Sequence, residues 1–247
     1  MARNFKLTLA YDGTRYRGWQ RQGNTADTIQ GKLETLLFRL LSQNVEVHGS
    51  GRTDAGVHAA GQVASFRADT DMTCGELLSA LRQYLPEDIG ALSLEEAPER
   101  FHARLSAKEK TYLYRIWNSD KPCVFERRYV YVFPAALDLD AMRAAAAALC
   151  GRHDFSAFST GKKKGKAAVR TLRSVTIERA GEEVRITCTG DGFLYNMARI
   201  LTGTLLETGT GERSADDAAR ILQSRDRAEA GFTAPARGLC LMNVRYM

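Results

Sequence analysis

Val45-Glu46-Val47-His48-Gly49-Ser50-Gly51-Arg52-Thr53-Asp54-Ala55-Gly56-Val57-His58 runs from an alternating, strand-like stretch into a turn that holds three glycines and one carboxylate. Phosphate-binding α/β units also begin with a strand entering a glycine-rich turn, so spacing decides between the two. A P-loop needs Lys and then Ser or Thr after its last glycine, where Val57-His58 stand. The dinucleotide fingerprint opened by Gly49-x-Gly51 needs its third glycine at position 54, which is the aspartate. This loop therefore binds no nucleotide cofactor. Gly49, Gly51 and Gly56 are expected to take positive φ and to let another molecule approach. A bland reading of Asp54 is an Asx-turn, its side chain bonding its own backbone two residues on. Against it stands Arg52, a neighbouring cation that favours an ionised carboxylate, the state a nucleophile or base requires. His58 fits a structural and a catalytic role equally.

Outward from this loop, strand-like alternation recurs at 5–11, 45–48, 62–67, 91–95, 111–117, 128–133, 174–179, 183–189 and 239–246. Helical spacing joins Ile29, Leu33, Leu36, Leu37 and Leu40, with Asp27 and Gln30 as a cap pair. A second helix opens at the capping box Thr73-x-x-Glu76 and stops at Pro86. A third, rich in alanine, covers Asp138 to Cys150, and a fourth opens with Ser214-x-x-Asp217. Another follows Asp191-Gly192 and gathers Leu194, Met197, Ala198, Leu201 and Leu205 on one side. Each half thus offers about four strands and two or more helices, an α+β pattern shared with RNA-binding sheets. We divide the chain at 1–106, carrying the aspartate loop, and 107–247.

The chain has 247 residues, 44% hydrophobic and 26% charged, as in an ordinary globular protein. Its net charge of +6 inclines toward a polyanionic partner. Cys74, Cys123, Cys150, Cys188 and Cys240 are scattered and odd in number, as core thiols of a reducing compartment are, and His48, His58, His102 and His153 lack zinc spacing. No disulfide framework and no metal is expected. No apolar run approaches the length of a membrane helix, and the first residues lead straight into a strand, so the cytoplasm is the expected compartment.

Two cationic stretches stand out. Lys162, Lys163, Lys164, Lys166, Arg170 and Arg173 fall in a segment, 159–173, read as a solvated loop able to track phosphates. Arg15, Arg17 and Arg21 interleave with Tyr16 and Trp19, whose rings are placed to stack bases.

Gly51-Arg52-Thr53-Asp54-Ala55-Gly56-Val57-His58-Ala59 resembles the catalytic motif of the TruA-type tRNA pseudouridine synthases. Companions in order are Tyr11-Asp12-Gly13-Thr14, Gly18-Trp19-Gln20, Phe101-His102-Ala103-Arg104, Lys110-Thr111-Tyr112-Leu113-Tyr114, His153-Asp154-Phe155, Phe193-Leu194-Tyr195-Asn196-Met197-Ala198-Arg199 and Ala234-Pro235-Ala236-Arg237-Gly238-Leu239. The resemblance implies two similar RRM-like α+β halves joined in a continuous, mainly antiparallel sheet, with helices on one side and a central cleft. It implies conversion of uridine to pseudouridine at tRNA positions 38, 39 and 40 in the anticodon arm, without a cofactor, by a homodimer. Asp54 is then the essential carboxylate, attacking C1′ or removing a C2′ proton. Arg199 is its partner, Arg52 either a second partner or an RNA contact, and Tyr112 stacks on the base, with His58 and Leu239 beside the substrate. Pattern alone makes Tyr112 sheet core and Arg199 a solvated helix residue. A non-catalytic RNA-binding or RNA-folding protein is the competing reading. A metal-dependent nuclease would need clustered acids, and none accompany Asp54 in the sequence.

Overall fold

The computed structural model describes residues 2–161 and 165–246. They form two compact units, Met1–Lys108 with Leu241–Met247, and Glu109–Cys240. The architecture is mixed α+β, with mostly antiparallel strands and five α-helices.

In the first unit, β1 (Arg3–Tyr11) lies between β3 (His58–Ala68) and β4 (Ile89–Glu96), antiparallel to both. Alternation sends Phe5, Leu7, Leu9 and Tyr11 into the core. Phe5 stands opposite Phe66 with the rings stacked at 5.2 Å. The register slips between Leu9 and Tyr11, bending β1 where it reaches the aspartate loop. Helices α1 (Ile29–Leu41) and α2 (Cys74–Tyr84) bury Leu33, Leu37, Leu77 and Leu81 completely. The capping box at Thr73 and Glu76 forms as expected. The cap of α1 does not: Thr28 is the N-cap, its Oγ1 accepting from Gly31 N, while Asp27 pairs with Lys32.

The expected strand at 45–48 shrinks to β2 (His48–Gly49), paired with β3. Val45 and Val47 are buried without a ladder because the Val47 N–H donates to the Glu34 carboxylate on α1 instead. The last strand, β10 (Leu239–Arg245), neighbours β3, and Gly61 in β3 lies directly against the Met242 backbone. The Tyr246 hydroxyl, donating to Ala103 O at 2.7 Å, anchors this end of the chain to the same unit.

In the second unit the strands run β5 (Glu109–Trp117), β9 (Glu183–Gly190), β8 (Val169–Ala180), β7 (Gly151–Asp154), each antiparallel to the next. The expected strand at 128–133 reduces to β6 (Tyr131–Val132), parallel to the end of β5. Helices α3 (Leu139–Leu149), α4 (Met197–Gly209) and α5 (Asp217–Ser224) complete it. Rather than one leucine face, α4 buries eleven of its thirteen residues. Thr202, Thr204 and Thr208 fit there because each hydroxyl donates to the carbonyl four residues back, at 2.9, 2.9 and 3.1 Å. Leu194 precedes the helix, and Asn196 enters it in the left-handed region at φ 60°.

Candidate active site

The aspartate loop is held by backbone at both ends. Ser50 N donates to Val63 O (2.7 Å), Trp19 N to Thr53 O (3.0 Å) and Gly56 N to Tyr16 O (3.3 Å). Val57 N closes a turn onto Asp54 O at 3.1 Å, and Gly56 at its third position has φ +77°, the geometry of a type II turn. Asp54 therefore stands at the first corner, half-buried. The N–H that an Asx-turn would use, that of Gly56, is committed to Tyr16. Of the three glycines expected at positive φ, only Gly56 adopts it. Gly49 serves close packing instead, since a Cβ there would lie 2.5 Å from the Trp19 ring.

Beneath the loop lies Gln62, fully buried in β3. Its Nε2 donates to Gly51 O (3.0 Å) and to the Tyr11 hydroxyl oxygen (3.3 Å). Its Oε1 accepts from Ser50 Oγ (2.7 Å) and from Val63 N (3.2 Å). Tyr11 and Thr53 hydroxyls meet at 2.9 Å, linking the network to the residue before Asp54. His58 is 5% exposed, and its Nδ1 lies 3.1 Å from Gly13 N and 3.2 Å from the Asp12 carboxylate. Gly13 opens a short 3₁₀ turn capped by Asp12, so the imidazole braces the backbone beside the loop. Arg52 is exposed and donates its Nε to Gln20 Oε1 at 3.0 Å.

Tyr16 and Trp19, expected to stack bases, are 4% and 2% exposed and belong to the core. The Tyr16 hydroxyl donates to Asp88 at 2.5 Å, and burial, then this bond, pushes its ionisation well above the ordinary tyrosine range. Of the neighbouring cations, Arg15 pairs with Asp88 at 2.7 Å and Arg21 with Glu34 at 3.2 Å, while Arg17 is exposed.

In the second unit, Tyr112 on β5 is 8% exposed, its ring edge-on to Phe193 with centroids 4.8 Å apart. Tyr114, on the same face, donates its hydroxyl to Pro235 O at 2.7 Å. Arg199 on α4 is half-buried, donating Nε to Ala234 O (2.7 Å) and an NH to Asn196 Oδ1 (2.9 Å). The Asn196 amide in turn donates to Thr160 Oγ1 at 2.8 Å. Leu239 is buried at the start of β10. Lys162, Lys163, Lys164 and the Lys166 side chain lie outside the described residues. Arg170 and Arg173 are not in a loop, because β8 starts at Val169; Arg170 donates to Val169 O and Arg173 pairs with Glu109.

Gln62 was not legible as a functional candidate. It sits in a strand buried on both faces, where no alternation marks an inward position. Among the described residues no three His, Cys, Asp or Glu side chains are grouped to hold a metal ion. Nor, among them, is any helix long and apolar enough to cross a membrane.

A family model described as tRNA pseudouridine synthase matches residues 8–105 and 145–247. The chain is 47% identical to "tRNA pseudouridine synthase A" of Bacillus sp. (strain KSM-64), over 98% of this chain and 99% of that one. It is 44% identical to the protein of the same name from Acetivibrio thermocellus, over 99% of this chain and all of that one. "tRNA pseudouridine synthase A 2" of Bacillus cereus (strain ZK / E33L) is 43% identical at similar coverage. A solved structure titled "Crystal Structure of a Cbf5-Nop10-Gar1 Complex" aligns over 96% of this chain and 48% of that one, with a TM-score of 0.38 and 10% identity, too low to bear on fold or activity.

Proposed function

The chain belongs to the TruA-type tRNA pseudouridine synthases, and we propose that it isomerises uridines 38, 39 and 40 of the tRNA anticodon arm with Asp54 as its essential carboxylate. Supporting this most directly is the double anchoring of the loop, by Trp19 N on Thr53 O and Gly56 N on Tyr16 O, one on each side of Asp54. A carboxylate at a turn corner whose backbone is fixed at both ends keeps its position when substrate arrives, which is the requirement for attack or proton removal at a ribose.

The isomerisation breaks C1′–N1, turns the base and forms C1′–C5, releasing the C5 proton while N1 gains one. Atoms and charge balance without a group donor, so the chemistry asks for positioning and an ionised carboxylate. A stacked uridine hides its sugar face, so the nucleotide has to be extruded at a cost of a few kcal/mol. Tyr112 as the platform for the extruded base and Arg199 as partner of the carboxylate complete the proposal, on the match of their motifs to the family. The exposure of Arg52 and its bond to Gln20 favour an RNA contact for that side chain. The burial of His58 favours a bracing role over direct contact. A homodimer working in the cytoplasm is part of the same reading.

Asp54→Asn tests it. Release of tritium from C5-labelled tRNA falls at least ~10³-fold, as when a nucleophile is removed, while tRNA affinity, dominated by phosphate contacts, changes less than about threefold. Pseudouridine mapping of tRNA treated with the natural enzyme shows new modification at positions 38 to 40. Full turnover by the variant, or modification elsewhere, refutes the assignment.

A further inference from the structure

Among the described residues, Gln62 is the one buried side-chain amide hydrogen-bonded to the aspartate loop, and its hydrogen-bonding capacity is filled. A glutamine side chain has two N–H donors and two carbonyl lone pairs. Here the donors go to Gly51 O and Tyr11 Oη, and the lone pairs to Ser50 Oγ and Val63 N. The four partners lie on β1, on β3 and on the segment that leads from β2 to Asp54. Complete satisfaction fixes which way the amide faces, because a flip would set its N–H groups against the Val63 N–H and its oxygen against the Gly51 carbonyl. The Tyr11 hydroxyl that accepts from Gln62 also bonds Thr53 Oγ1, at 2.9 Å. One side chain thereby fixes positions 50 and 51 directly and position 53 through Tyr11.

We propose that Gln62 is a positioning residue for the reaction, setting the aspartate loop through Ser50, Gly51 and the Tyr11–Thr53 link. It touches no reacting atom. This role presupposes that Asp54 is the essential carboxylate, as proposed above. A buried polar cluster in a small sheet could instead serve stability alone, so the test has to separate rate from folding.

Gln62→Glu keeps the volume but replaces the amide NH2 by a carboxyl oxygen, which carries a negative charge when ionised. Ionised, the new carboxylate has no donor for Gly51 O or Tyr11 Oη; protonated, it recovers one. Burial raises its titration into the neutral range; Tyr11 is the titratable side chain among the four partners of this amide. The variant is compared with the natural protein by single-substrate kinetics on tRNA from pH 8 to pH 6, with melting temperature measured alongside. At pH 8, kcat is expected to fall about 10–100-fold, the scale of a sub-ångström misplacement of a reacting group, with KM within about twofold. The ratio of variant to natural kcat then rises as pH falls.

Tyr11→Phe, which keeps the ring in the core and deletes both the acceptor for Gln62 Nε2 and the link to Thr53, serves if Gln62→Glu does not fold. It is expected to lower kcat about 3–10-fold with KM unchanged. A kcat ratio that is flat with pH and near one, or losses that merely follow the folded fraction, overturns the positioning role. So does an undiminished kcat in Tyr11→Phe. Asp54→Asn run in parallel separates the two claims: its inactivity with a fully active Gln62→Glu sinks the role of Gln62, whereas its activity sinks the catalytic reading of the loop.

Discussion

Replacing Gly18 by alanine perturbs the aspartate loop from outside it. Gly18 has φ +96°, a region that costs a residue with a side chain roughly 1–3 kcal/mol. Space is also lacking, since a Cβ there would lie 2.6 Å from Thr53 O, 3.1 Å from Asp54 C and 3.2 Å from Ala55 N. Every one of these is backbone, so no side chain can swing aside. Restoring even a 3.0 Å contact moves the Thr53 carbonyl by about 0.4 Å, in the segment that the Trp19 N–H holds. At ~2 kcal/mol the melting temperature falls by about 4–8 °C for a chain of this size. The displaced corner carries Asp54, so kcat is expected to fall about tenfold or more, given that a 1 Å error costs ~10²-fold. Differential scanning fluorimetry and the tritium-release assay read the two effects. Gly23→Ala is the control, since nothing lies within 4 Å of a Cβ at that position, and it should change neither. Natural melting temperature and kcat in Gly18→Ala would refute the tight coupling between the 16–19 segment and the loop.

Two further outcomes follow from the second unit. Burial pushes the Glu183 carboxyl up, but hydrogen bonds from Arg115 and Arg185 outweigh it and hold the group at about 2, below the ordinary 4.5. A folded pKa below the unfolded one stabilises above the unfolded value, and that contribution is lost as pH falls from about 4.5 toward 2. Glu183→Gln should therefore lower stability at pH 7 by an amount that vanishes in acid, up to about 3 kcal/mol, and denaturant titration at pH 7 and pH 3 checks it. An equal loss at both pH values would contradict the pairing. Cys188 is buried, and burial, reinforced by Cys150, raises its thiol to about 12. Mass spectrometry after brief iodoacetamide treatment of the native protein should find Cys188 unmodified and find it alkylated after denaturation; rapid native labelling would contradict its burial.

Much of the fold was readable because most strands here have one dry face. Phe5, Leu7 and Leu9 alternate with polar residues, and β1 appears almost where expected. β3 is less legible, since burial on both faces removes the alternation and hides Gln62 and Ser65 among apolar neighbours. Tyr16 and Trp19 lie in the core, against expectation, for a related reason. Aromatics among arginines look alike in sequence whether the rings face solvent or, as here, underpin a loop while the cations point outward. The start of α1 turned on which neighbouring oxygen reaches an N–H, and Thr28 beats Asp27 because Lys32 takes the carboxylate. The residue before β2 is similar, as a side chain on α1 substitutes for a missing strand partner at Val47. Such choices depend on three-dimensional neighbours and leave no periodic trace.

The placement of β10 beside β3 has a consequence for how the protein is made. Synthesis is vectorial, and the second unit, Glu109–Cys240, leaves the ribosome before Leu241 does. Until then the flank of β3 that β10 covers, on the strand that follows Asp54 and carries Gln62, stays open to other strands. The nascent first unit must be kept from pairing with a neighbour for the whole time that the second is being translated. That flank of its sheet is covered only by residues that follow the whole of the second unit, so a ribosome that stalls before Leu241 releases a chain with an uncovered edge beside the residues proposed for its chemistry.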